Sequence, residues 1–176
     1  GKKYMFWGSF RGIYATELTD NGLEIKKKTD GTPVLKKRIC GNRFEGTNIY
    51  KRGEYYYLFA SIGTCCNEAT STYQTVVGRS KNVLGPYLDK TGRDMLYDYC
   101  EIIMSGNETW AGPGHNSILI QDDVGTDWII YHGYKKKEAE NGRYVLMDKL
   151  IWSNDGWPSV KSNAPSILEV APYFQK

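Results

Sequence analysis

The sequence predicts an all-β domain, and three observations carry that expectation. Helix signals are nearly absent: apolar and aromatic residues come in short alternating runs separated by Gly, Asn and Asp. Aromatic content is high, at 14% with 14 Tyr and 5 Trp, and these residues suit a pleated, half-buried surface. A sugar-stacking surface would favour the same composition. Finally, one strand layout occurs twice, at a spacing of about 70 residues. Repeated units of three to four antiparallel strands are the signature of a β-propeller blade, although a β-sandwich built of similar hairpins leaves the same trace. The length of 176 residues suits one well-buried domain.

Taken in order, Tyr4–Phe10 and Gly12–Leu18 read as strands. Asn21-Gly22 marks a turn, Glu24–Lys28 reads as an exposed third strand, and Asp30–Pro33 turns again. The second group begins at Glu45, followed by a strand Thr47–Tyr50, the polar turn Lys51–Glu54 and the aromatic strand Tyr55–Ser61. A loop with Cys65 and Cys66 leads to strand Tyr73–Ser80, and Gly85-Pro86-Tyr87 with the turn Asp89–Gly92 closes the group. The third group starts near Gly112, with strands Ser117–Ile120, Asp127–Tyr134 and Arg143–Trp152, and ends at the turn Asn154–Pro158. Glu45 and His115 occupy matching places, each just ahead of its group's first strand. The blade-like units are therefore 1–40, 41–100 and 101–176.

The net charge of +3 and hydrophobic fraction of 40% are ordinary for a folded protein and point to no nucleic-acid partner. No apolar run approaches the ~18 residues of a membrane helix. Cys40, Cys65, Cys66 and Cys100 lack metal-ligand spacing. Adjacent cysteines close a strained ring, so free, buried thiols are expected at all four. Asn107-Glu108-Thr109 forms a glycosylation sequon.

Five motifs in this order resemble glycoside hydrolase family 43, and its arabinanase and arabinofuranosidase branch in particular. They are Phe44-Glu45-Gly46 before the aromatic hairpin, Ser71-Thr72-Tyr73 leading to Val77-Gly78-Arg79-Ser80, Gly85-Pro86-Tyr87, Gly112-Pro113-Gly114-His115-Asn116, and Asp155-Gly156-Trp157-Pro158. Cys65-Cys66 also suits that branch. The resemblance runs from Tyr4 to the end. It implies a five-bladed β-propeller with an axial pocket, of which this chain would be about half: most of one blade plus two further blades. It implies inverting hydrolysis of α-L-arabinofuranosyl linkages in arabinan or related pentosans. The alternatives are a β-xylosidase of the same family and a non-catalytic carbohydrate-binding or assembly module. By the same resemblance the context is bacterial and exported, periplasmic or secreted.

The resemblance assigns Glu45 as the general acid; by itself a Glu at a hairpin mouth is more simply a solvated loop residue. Inversion needs a second carboxylate as base, ~6.5–9.5 Å away so that a water fits between them. The family's base Asp and its pKa-tuning Asp both map upstream of Gly1, and neither Asp148 nor Asp155 stands in a matching context. His115, in a tight Gly-Pro-Gly turn, is expected to face the pocket, to bind substrate and to help hold a calcium ion, largely through water. Its bland reading is a turn His bonded to backbone. Phe10 and Trp110 are candidate sugar-stacking rings, with core packing the competing reading, and Arg143 is a candidate donor to sugar hydroxyls. His132 and Arg79 read as structural. A half-ring leaves blade faces uncovered, so the expected partners are an oligosaccharide or polysaccharide substrate and either a chain bearing the missing blades or a second copy.

Overall fold

The computed structural model describes residues 1–175, and its strands group into stacked antiparallel sheets. The first sheet is β1 (Lys3–Trp7), β2 (Ile13–Leu18) and β3 (Lys37–Cys40), in that order. The second is a four-stranded meander of β4 (Glu45–Arg52), β5 (Tyr55–Ile62), β6 (Gln74–Ser80) and β7 (Glu101–Met104). In the third, β10 (Asp127–Lys135) lies between β11 (Arg143–Lys149) and an inner strand split into β8 (Trp110–Gly114) and β9 (Ile120–Gln121). The short pair β12 (Ile151–Trp152) and β13 (Pro158–Ser159) follows. Helical structure is confined to one- or two-turn 3₁₀ segments.

Side chains on the middle blade alternate between two cores, as period-2 geometry requires. On β5, Leu58, Ala60 and Ile62 enter one core with Ile13, Ala15 and Ile39 from the first unit and with Phe44, just ahead of β4. Tyr57 and Phe59 point the other way, into a core with Ile129, Tyr131, Leu150 and Trp157 from the third. A sheet buried on both faces between two neighbours is the stacking of a propeller, not the two-layer arrangement of a sandwich.

Polar side chains join blades two and three. Buried Asp127 accepts from the Tyr50 hydroxyl at 2.8 Å, from Trp152 Nε1 at 2.7 Å and from Gln121 Nε2 at 3.0 Å. Arg79 lies 4.5 Å from the ring centres of Tyr55 and Trp157 and donates to the Asp155 carbonyl at 2.6 Å. Arg79 is thus a clamp between blades.

Four expectations need correction. Glu24–Lys28 forms only isolated bridges, and the third strand of the first sheet is β3. The second unit takes β7 as its fourth strand, so its boundary falls beyond residue 100, between Met104 and Trp110. Residues 117–119 are not strand; they lie in the gap between β8 and β9. Cys65 and Cys66 are disulfide-bonded to each other, at a Cα spacing of 3.8 Å. They are not buried thiols: on the 63–72 loop Cys65 is half-buried and Cys66 exposed. Cys40 and Cys100 are free, as expected.

Candidate functional site

Two interrupted inner strands build the site. On β4, Glu45 pairs with Ser61 but the next pair is Asn48 with Phe59, so the strand bulges at Gly46–Thr47. Gly46 has φ +63°, a left-handed conformation that glycine adopts without strain. On the third blade, five residues lie between Gly114 and Ile120, against three between their partners His132 and Trp128. The two extra residues push His115 out of the strand, with φ +51°. The bulges meet: a Cβ on Gly46 would lie 3.1 Å from His115 Cγ. Glu45 therefore opens β4 instead of preceding it, and His115 lies between two halves of a strand.

Glu45 is half-buried and accepts two hydrogen bonds from hydroxyls, Ser9 Oγ at 2.8 Å and Tyr73 OH at 2.5 Å. No Lys or Arg pairs with it among the described residues. A hydroxyl can donate to a carboxylate and accept from a carboxylic acid, so both neighbours suit either protonation state. Burial raises the Tyr73 hydroxyl above the usual phenol range, and its bond to Glu45 adds to that. Tyr73 OH also lies 3.3 Å from His115 Nδ1, and the His115 backbone N–H donates to Ser61 Oγ at 2.7 Å.

His132 belongs to the same cluster. Its ring stacks on Tyr73 at 5.8 Å and 14°, and on His115 at 6.2 Å and 25°. Arg143 Nη1 lies 3.4 Å from His132 Nε2. Burial lowers the imidazole pKa to about 4, reinforced by the Arg143 and His115 charges and partly offset by Glu45. His132, expected to be structural, packs within this cluster. Sequence reasoning missed it, and Ser9 and Tyr73 with it, because a His and a Tyr in aromatic strands look like core. Both belong to short motifs that carry the resemblance or the strand reading, but no local signal says that they meet.

Phe10 is exposed, follows Ser9 with φ +48°, and donates its backbone N–H to the Phe44 carbonyl at 3.0 Å. That bond holds the Phe10 backbone next to the residue preceding Glu45. Trp110 lies at the far end of β8, edge-on to Tyr144 at 5.9 Å, with its Nε1 buried and unpaired. It packs against the blade and makes no hydrogen bond or ring contact to the Glu45 cluster. Arg143 joins the cluster through His132. Among the described residues no three His, Cys, Asp or Glu side chains converge as a metal cage, and His115 Nδ1 already faces a hydroxyl. A calcium held largely through water, as expected at His115, needs no such cage, and Nε2 of that ring has no hydrogen-bond partner among the described residues. The amide of Asn107 donates to the Pro165 carbonyl and its Oδ1 caps Thr109 and Trp110, so the sequon side chain is engaged.

A family model described as glycosyl hydrolases family 43 matches residues 1–158. The chain is 45% identical over 170 residues to the extracellular exo-α-(1→5)-L-arabinofuranosidase ArbA of Cellvibrio japonicus, covering 91% of this chain and 48% of that protein. It is 36% identical over 161 residues to the extracellular endo-α-(1→5)-L-arabinanase 1 of Bacillus subtilis, covering 90% and 47%. Among solved structures it is similar to the Cellvibrio cellulosa α-L-arabinanase complexed with arabinohexaose, with a TM-score of 0.76, 34% identity, and coverage of 92% of this chain and 54% of that one. It is also similar to an exo-1,5-α-L-arabinanase from a bovine ruminal metagenomic library, with a TM-score of 0.79, 33% identity, and coverage of 92% and 53%. The chain spans about half the length of the curated relatives it matches. The three stacked sheets are accordingly part of a five-bladed β-propeller. With motif order, blade stacking and the family match over residues 1–158 in agreement, the chain belongs to glycosyl hydrolases family 43.

Proposed function

We propose that this chain supplies the acid-bearing half of a glycosidase site that hydrolyses α-L-arabinofuranosyl linkages in arabinan. One observation carries the reading: the Glu45 carboxyl, on the bulge of one inner strand, is joined through the Tyr73 hydroxyl to His115 on the bulge of the next. In this scheme Glu45 protonates the departing glycosidic oxygen, Ser9 and Tyr73 orient its carboxyl, and Arg143 and His115 bind sugar hydroxyls. Phe10 offers a ring face to the sugar. The water-activating base belongs to a blade outside this chain, and its separation from Glu45 would give inversion. The names of the relatives favour arabinan over xylan, and those named extracellular favour secretion. The uncovered blade faces favour a complementary chain or a second copy as partner.

The test is hydrolysis of α-1,5-L-arabino-oligosaccharides by the chain, alone and mixed with the N-terminal blades of a family-43 arabinanase. The expected result is turnover only in the mixture, falling by about 10²–10⁴-fold with Glu45→Gln. Full turnover by the Gln variant sinks the acid role. Sugar binding with no turnover in either setting supports the non-catalytic module instead.

A further inference from the structure

His132 has features that a merely packed histidine does not need. Its ring lies in offset stacking range of two others, Tyr73 and His115. Those two are themselves joined edge to edge by the 3.3 Å contact from Tyr73 OH to His115 Nδ1. One ring therefore backs the pair that reaches Glu45. A guanidinium can only donate, so the contact from Arg143 Nη1 makes His132 Nε2 an acceptor. That assigns the neutral ring with its proton on Nδ1. The Nδ1 atom is buried, and no other side chain pairs with it among the described residues. Arg143 itself is exposed and has no acidic partner in any ion pair of the described residues. Its remaining N–H groups are free to meet a ligand.

We propose that His132 is the positioning residue of the site: its neutral ring, stacked across Tyr73 and His115, keeps the Tyr73 hydroxyl on Glu45, while its Nε2 holds the Arg143 guanidinium for the hydroxyls of a bound furanose. This rests on the sugar-binding reading above for the ligand, and on the free protein alone for the geometry. The two jobs are separable. A Phe at 132 keeps a stacking ring and loses the acceptor. A Gln keeps an acceptor oxygen and loses the ring.

The free full chain is measured first. Long-range ¹H–¹⁵N spectra at pH 7 are expected to report a neutral His132 protonated on Nδ1, with the Arg143 guanidinium resonances shifting in His132→Phe. A ring protonated on Nε2, or Arg143 resonances indifferent to the substitution, overturns the proposal. Titration with α-1,5-L-arabinotriose is then expected to give about 10-fold weaker binding for His132→Phe, about 1.4 kcal/mol, at an unchanged melting temperature. His132→Gln is expected to recover the Arg143 signature while perturbing the Tyr73 resonances. Equal affinity in wild type and both variants overturns the proposal. A wild-type chain that binds no arabinotriose counts against the functional reading, and the free-protein spectra then decide the positioning role by themselves. Should the Phe variant not fold, the Gln variant and the wild-type tautomer carry the test.

Discussion

Glu45 draws both of its hydrogen bonds from hydroxyl groups and neither from a cation. Removing the Tyr73 hydroxyl with Tyr73→Phe should strand one carboxyl oxygen in a half-buried place. A stability loss of about 1–2 kcal/mol is expected, read from the urea midpoint; no loss would mean that the bond to Glu45 is weak. His132 gives a pH signature. Its folded pKa of about 4 lies below the ordinary 6.5, so between those values the unfolded chain binds a proton that the folded chain refuses. Stability should therefore be complete above about pH 6.5 and fall as the pH drops toward 4. The part due to this ring should vanish in His132→Phe, and an identical pH dependence in the two proteins would refute the assignment.

At the scale of elements, the site depends on inner strands that fail to be regular. The β8 glycines make the close approach of blades possible. A Cβ on Gly112 would fall 2.6 Å from Ser71 Cβ, at φ +61°, and one on Gly114 would overlap the Tyr73 ring. Gly114→Ala should displace Tyr73 from Glu45 and cost about 1–3 kcal/mol through overpacking; an unchanged melting temperature and unchanged Tyr73 resonances would show that the strand yields instead. The 63–72 loop is tied locally: the Thr64 N–H donates to Thr72 Oγ1, and Ser71 Oγ bonds Asn67 and Cys65 backbone groups. The Cys65–Cys66 bond spans one residue step and removes little chain entropy. Reduction should lower global stability by no more than about 1 kcal/mol.

For the whole molecule, cohesion lies between blades. The middle blade is covered on both faces, whereas β1 sends Phe6 inward and leaves Met5 and Trp7 at 39% and 37% exposed on its outer side. Asp127 accepts from Tyr50 across the second junction and from Gln121 and Trp152 of its own blade. Asp127→Ala would leave three donors unsatisfied, and a loss of about 3 kcal/mol in chemical unfolding is expected; a loss under about 1 kcal/mol would show that apolar packing alone holds the junction. The open outer faces predict association with further blades or with a second copy, so light scattering that finds a stable monomer at all concentrations would count against it.

The sequence by itself determined the all-β class, most strands, and the matched places of Glu45 and His115. Period-2 alternation and turn dipeptides are local, and each motif sits within a few residues. It hid β3, where Lys37 and Arg38 mask a half-buried strand, and β7, whose four residues follow a long irregular loop. It also hid the Cys65–Cys66 bond, which depended on whether the loop folded into the core or away from it. Tertiary structure alone brought Ser9, Tyr73, His132 and Arg143 to Glu45. Those residues come from three different blades, and their meeting depends on how stacked sheets aim strand bulges at one another. No spacing along the chain encodes that angle.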